Sequence, residues 1–159
     1  MTIIRQALDI SPVGLTPVRL AVERLTLAKR RWRGVAEDGA EFGFDLERPI
    51  GDGAAFHQTG AAVYLVAQKY EPVLELRIAP FRQAQGPGGD CGLRNGAEAA
   101  RAGWLIGNLH FQIEVLDDAV RVVDDLAVRQ MFEREGIKFT PCKRIFHPIG
   151  GGHSHGHSH

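Results

Sequence analysis

The chain has 159 residues, 44% of them apolar and 24% charged, proportions that fit one ordinary globular domain or two small ones. Lys plus Arg and Asp plus Glu each count 19, so the formal net charge is zero and the basic excess of a general nucleic-acid binder is absent. No apolar run approaches the roughly 20 residues that span a bilayer. Met1-Thr2-Ile3-Ile4-Arg5 has no charged stretch leading into an apolar core, so the sequence predicts a cytoplasmic protein with no membrane role. Cys91 and Cys142 form no CxxC pair, which excludes a disulfide framework and a cysteine-rich zinc site and suits a reducing compartment.

In chain order, the first segment reads as β. Arg19 to Leu27 and Trp32 to Val35 are short apolar-containing runs. Glu37-Asp38-Gly39 is a hairpin-type turn, and Glu41 to Leu46 alternates polar and apolar as a half-buried strand does. Gly51-Asp52-Gly53 is a second turn, and Ala61 to Ala67 is a compact apolar strand. Short strands at this spacing predict a small barrel or sandwich over residues 1–71.

The second segment, 72–147, opens with an alternating strand over Val73 to Ile78. Gln85 to Gly96 holds five glycines and a proline and predicts a loop without a P-loop ending. Ala97 to Ile106 is rich in helix formers, with Gly107 and Asn108 expected to end that helix in a left-handed turn. Leu109 to Val115 alternates, Asp117-Asp118 turns the chain, and Ala119 to Val123 returns. Asp124 and Asp125 can cap a helix to about Glu135, Gly136 stops it, and Ile137 to Thr140 is a last strand. The fold class is thus α+β, with the β-α-β-β-α-β order of a ferredoxin-like domain after the β-domain. Residues 148–159 read as a tail without structure.

Histidine is distributed unevenly. Of seven, His153, His155, His157 and His159 crowd the last seven residues. Neutral imidazole is a common ligand for nickel, copper and zinc, and Ser and Gly between the histidines leave the backbone free to wrap an ion. Ordering that backbone costs entropy, so such a tail holds metal moderately and releases it. A purification tag is the alternative, although tags are usually uninterrupted runs; a His-rich tract otherwise reads as metal binding.

Gly107-Asn108-Leu109-His110 joins the predicted helix to its next strand, with His110 at the start or on the polar face of that strand. A lone histidine there is otherwise a surface or capping residue. Taken together, the Gly-Asn-x-His motif, the ferredoxin-like half, the Asp38 to Leu46 stretch of the β-half and the His-rich terminus resemble UreE, the urease accessory metallochaperones. Leu109 stands where that family usually has arginine. The resemblance implies a cytoplasmic homodimer in which His110 of each subunit meets its mate and helps bind one Ni(II) as cargo, with Zn(II) or Cu(II) as competitors. It implies that His147, His153, His155, His157 and His159 complete or feed that site. It further implies delivery through the GTPase UreG to the urease apoprotein, with the β-domain contacting partners. Val122-Val123-Asp124-Asp125 carries none of the extra histidines that some members have there.

Other residues have plainer readings. Cys142 and His147 could form a Cys-x4-His pair, or Cys142 could be an inert half-buried thiol. Cys91 and His57 read as surface residues. Lys29-Arg30-Arg31-Trp32-Arg33 reads as a solvated strand end or as a contact patch for an acidic partner or RNA. Asp117, Asp118, Asp124 and Asp125 read as turn and cap residues. No nucleophile motif or phosphate loop points to an enzyme. Two rivals to the chaperone remain: a nickel, zinc or copper buffer that uses chiefly its tail, and a peptide-binding or heat-shock-type module.

Overall fold

The computed structural model describes residues 1–9, 14–78 and 96–149. The glycine-rich loop with Cys91 (apart from Gly96) and the histidines at 153, 155, 157 and 159 lie outside the described residues. The chain divides into two compact units, Met1–Lys69 and Tyr70–His159.

The first unit holds β1 (Thr2–Ile4), β2 (Thr16–Val22), α1 (Arg24–Leu27), β3 (Arg31–Val35), β4 (Glu41–Asp45), β5 (Ala55–Gln58) and β6 (Ala62–Gln68). They form two three-stranded sheets, β1-β4-β3 and β2-β6-β5. Alternation in β4 sends Phe42 and Phe44 inward, where Trp32 stacks on Phe44 with ring centroids 3.6 Å apart. Phe56, Tyr64, Leu20 and Val66 of the other sheet complete the same core. The predicted turn at residues 37–39 forms: Gly39 has φ 86°, and Asp38 accepts from Ala40 N–H and from the Tyr64 hydroxyl at 2.7 Å. Those bonds, the Tyr64 one foremost, hold the Asp38 carboxyl below its usual range. Gly53, at φ 76°, closes the second predicted turn.

Three readings of this unit change. The run from Arg19 to Leu27 is not one strand; β2 ends at Val22 and a helical turn follows. The strands β1 and β5 have little alternation and escape the sequence. His57 is a half-buried strand residue, not a free surface one, with its ring against Phe42 and Tyr64.

The second unit holds β7 (Glu71–Arg77), α2 (Gly96–Asn108), β8 (Ile113–Val115), β9 (Ala119–Val123), α3 (Leu126–Arg134) and β10 (Thr140–Arg144). The element order is the expected β-α-β-β-α-β. All pairings are antiparallel and the strand order is β10-β7-β9-β8. Leu74, Leu76, Val120 and Val122 pack with Ala102 and Ile106 of α2 and Val128, Met131 and Phe132 of α3. Each helix therefore buries one stripe on the sheet. Asp125 caps α3 as expected by accepting from Ala127 N–H at 2.8 Å, and Asp124 pairs with Arg129. The last strand is later than predicted. Residues 137–139 lead out of the α3 turn, and β10 runs over Thr140–Arg144 with Cys142 opposite Val73.

A row of charges ties the strands together. Arg121 of β9 bonds Glu75 of β7 at 2.8 Å and Glu114 of β8 at 3.2 Å, and Arg77 adds a contact to Glu75 at 2.9 Å. Both carboxylates are buried. Burial alone would push Glu75 up; the Arg121 hydrogen bond and the charges of Arg77, Arg121 and Arg144 outweigh it and hold the carboxyl below its usual range.

Candidate metal-handling site

The site begins with how α2 stops. Its buried stripe runs through Ala102 and Ile106, one turn apart. Past Asn108 the helix closes with two bonds: His110 N–H to the Gly107 carbonyl at 2.9 Å, and Phe111 N–H to the Ile106 carbonyl at 3.4 Å. This is a Schellman end, in which the residue donating the first bond takes a left-handed backbone. That residue is His110, at φ 61°, the one non-glycine with positive φ among the described residues. Phe111 then packs toward Ile106 in the core, which is the apolar contact such ends usually carry.

Two sequence expectations are corrected here. Gly107 and Asn108 do not adopt the left-handed turn; they are the last residues of α2. Nor is His110 on a strand. β8 starts only at Ile113, because the Schellman bonds hold residues 109–111 in the turn. A left-handed conformation costs an L-residue about 1–2 kcal/mol, and histidine tolerates it better than most.

The consequence is placement. A left-handed residue at a helix end projects from the turn, and His110 is exposed. Exposed apolar side chains lie close to it in the sequence: Trp104 of α2 is 66% exposed and its neighbour Leu109 38%. Trp104 lies on the side of α2 opposite Ala102 and Ile106, where a lone helix would carry a polar residue. Val115 at the end of β8 and Ile149 are also exposed.

The chain after β10 reaches this region. Phe146 is fully buried, His147 is exposed, and Ile149 N–H donates to the Ile113 carbonyl at 2.8 Å. Thus Ile149, the last described residue before the His-rich sequence, is bonded to a residue three positions from His110. Sequence reading missed both Phe146 and Trp104. Their signal is an aromatic where the local pattern calls for a polar residue.

Among the described residues no three His, Cys, Asp or Glu side chains converge on a point where an ion could sit. His110, His147 and Cys142 are not brought into one cluster. A site of three or more such ligands at His110 therefore needs a contribution from beyond the described residues of one subunit. Also among the described residues, no helix is long and apolar enough to cross a membrane.

This sheet and its Gly-Asn-x-His helix end define the domain of a urease accessory protein: the family model "UreE urease accessory protein, C-terminal domain" matches residues 71–159. Curated proteins named urease accessory protein UreE match over most of the chain. The protein of Pseudomonas fluorescens strain Pf0-1 is 26% identical over 162 aligned positions, covering 100% of this chain and 87% of the relative. That of strain SBW25 is 27% identical, covering 94% and 83%. That of Azotobacter vinelandii strain DJ is 26% identical, covering 99% and 89%. The chain belongs to the UreE family of urease accessory proteins.

Proposed function

We propose that this protein is a nickel metallochaperone for urease maturation. It works as a homodimer in the cytoplasm, with one Ni(II) held between the His110 side chains of two subunits and with His147, His153, His155, His157 and His159 completing or feeding the site. The observation that carries this reading is His110 itself: a histidine held in a left-handed helix end, exposed, next to exposed Leu109 and just past an α2 whose Trp104 is also exposed. An apolar surface beside a metal ligand favours a second copy of the chain, because a two-fold axis doubles each ligand and covers the patch.

Two imidazoles make an open, exchangeable site. Tail imidazoles add affinity by local concentration, since the bond at Ile149 starts the tail near His110. From Ile149, four residues to His153 reach at most about 14 Å. Zn(II) and Cu(II) compete through the same nitrogens, so selectivity rests on geometry and supply. The cargo passes through UreG to the urease apoprotein by ligand exchange, with no covalent bond made or broken. The first unit, read as a small barrel- or sandwich-like body, contacts those partners.

The test is nickel titration with molar mass by light scattering, followed by activation of urease apoprotein. The parent should be a dimer with one tight ion, lost in His110→Ala, and a chain ending at residue 149 should keep that ion more weakly. A metal buffer would instead lose nearly all binding on truncation and ignore His110→Ala.

A further inference from the structure

The basic run at residues 29–33 has no part in the nickel site, and the fold of the first unit gives it a definite shape. Burial alternates along β3, so Trp32 and Gly34 face inward while Arg31, Arg33 and Val35 face out. In β4 the outward residues are Glu41, Gly43 and Asp45, in register with Val35, Arg33 and Arg31. In β1, Ile3 lies opposite Gly43. Ile3, Gly43 and Arg33 therefore form one row across the outer face of the sheet β1-β4-β3.

Gly43 decides the character of that row. It offers Arg33 no cross-strand partner, and Ile3 leans into the space a side chain would take, its Cδ1 2.9 Å from the position of a Cβ. One row away, Arg31 is paired with Asp45 at 2.7 Å. Arg33 is exposed and has no ion pair among the described residues. Ile3 across Gly43 and Val35 two residues along β3 are 52% and 59% exposed. More positive charge gathers at one end of this face. The Arg30 carbonyl accepts from Leu46 N–H at 2.8 Å, and the Arg5 carbonyl accepts from Glu47 N–H at 3.4 Å. Arg5, Arg30 and Arg48 thus come together there, all exposed, with Glu47 as the acid among them.

Exposed apolar side chains beside an arginine without an ion pair have the composition of a protein-docking surface. Nucleic acid is the other class of partner that a basic run suggests, and two features of this face speak against it. Trp32, the one aromatic in the run, is buried and stacked on Phe44, so no ring is offered to a base. Glu41 and Asp45 stand on the face itself and would repel a phosphate backbone. We infer that the outer face of the sheet β1-β4-β3 docks an acidic protein segment, which sets a carboxylate on Arg33 and apolar side chains over Ile3 and Val35. This rests on the proposed role of the first unit in contacting partners, and it adds the surface used and the chemistry that recognises the partner.

The probe is a short labelled peptide of Glu and Leu, set against a Lys and Leu peptide and a single-stranded RNA of the same length. Fluorescence anisotropy with the full chain should show binding of the acidic peptide that weakens as salt rises, and none of the other two. Arg33→Glu should weaken it by about tenfold or more, and Arg33→Ala by less. Arg19→Glu reverses an exposed charge on β2, in the other sheet, and should leave binding unchanged. Circular dichroism should show every variant folded. An acidic peptide that does not bind, or that binds Arg33→Glu as well as the parent, would overturn the proposal. So would an equal loss in Arg19→Glu, or an RNA that binds through Arg33. Nickel titration of the same proteins keeps the two readings apart. A parent that takes the peptide but no nickel would defeat the chaperone reading and leave this surface standing; one that takes nickel but not the peptide would do the reverse.

Discussion

The helices α2 and α3 end on the same motif, and they fill its left-handed position differently. At the end of α3, Gly136 has φ 66°, its N–H bonds the Glu133 carbonyl at 3.2 Å, and Ile137 N–H bonds the Phe132 carbonyl at 2.8 Å. At the end of α2 the same two bonds run from His110 and Phe111, with His110 at φ 61°. Glycine adopts this backbone without steric cost, so α3 shows what the fold alone asks for. Nothing around α2 excludes glycine there, and Gly107 and Asn108, both suited to the conformation, stand just before it inside the helix. On the proposed function, histidine occupies the strained position because its imidazole is needed there. The comparison then sets a residue that serves stability against one proposed to serve chemistry.

The largest effect should come from making the two ends alike. His110→Gly should weaken the tight nickel site by more than about 100-fold, beyond what losing a supporting residue around a metal costs. Titration of the dimer checks this. The reverse exchange, Gly136→His, should leave nickel binding unchanged and destabilise the fold by about 1–2 kcal/mol. A Cβ at 136 meets open space, so the cost is backbone strain and not a clash. Thermal unfolding should show a midpoint a few degrees lower.

Smaller changes sharpen the contrast. His110→Gly should raise stability by about 1 kcal/mol or less, because relief of the left-handed strain is partly offset by the greater freedom of glycine in the unfolded chain. His110→Asn should unfold within about 0.5 kcal/mol of the parent, since asparagine tolerates the same backbone, yet bind nickel no better than His110→Gly. Denaturant titration separates the two.

Acid should divide the same two roles by pH. Imidazole binds metal as the neutral base, so nickel affinity should fall as the pH is lowered. The carboxyls of Asp38, Glu75 and Asp124 are held low in the folded protein. Their stabilisation is therefore complete above the unfolded carboxylate range near 4 and is lost as pH falls below it through the folded values. Nickel should therefore be lost at a higher pH than the fold. Circular dichroism alongside nickel binding tests this.

Much of the second unit was legible in the sequence because its signals are local. Alternation in β7 and β9, the Asp125 cap and the Gly136 stop each follow from one residue and its nearest neighbours. Alternation failed after α2, where Leu109 to Val115 reads as a strand. Its first apolar members, Leu109 and Phe111, instead serve a turn, with Phe111 N–H bonded to the Ile106 carbonyl, and only Ile113 to Val115 form β8. Strands β1 and β5 were illegible because each is short and gains its place only by pairing with β4 or β6. The motif marked His110 as a candidate, but its left-handed backbone was hidden, since Gly107 and Asn108 are the obvious residues to turn the chain. The tie from Ile149 to Ile113 was equally hidden, because a backbone bond leaves no trace in side-chain pattern.

The most direct test of the account is His110→Gly examined for stability and for nickel in the same preparation. The account predicts a protein at least as stable as the parent that has lost its tight ion per dimer. A variant that is less stable and still binds nickel as the parent does would show that His110 serves the fold, and would contradict it.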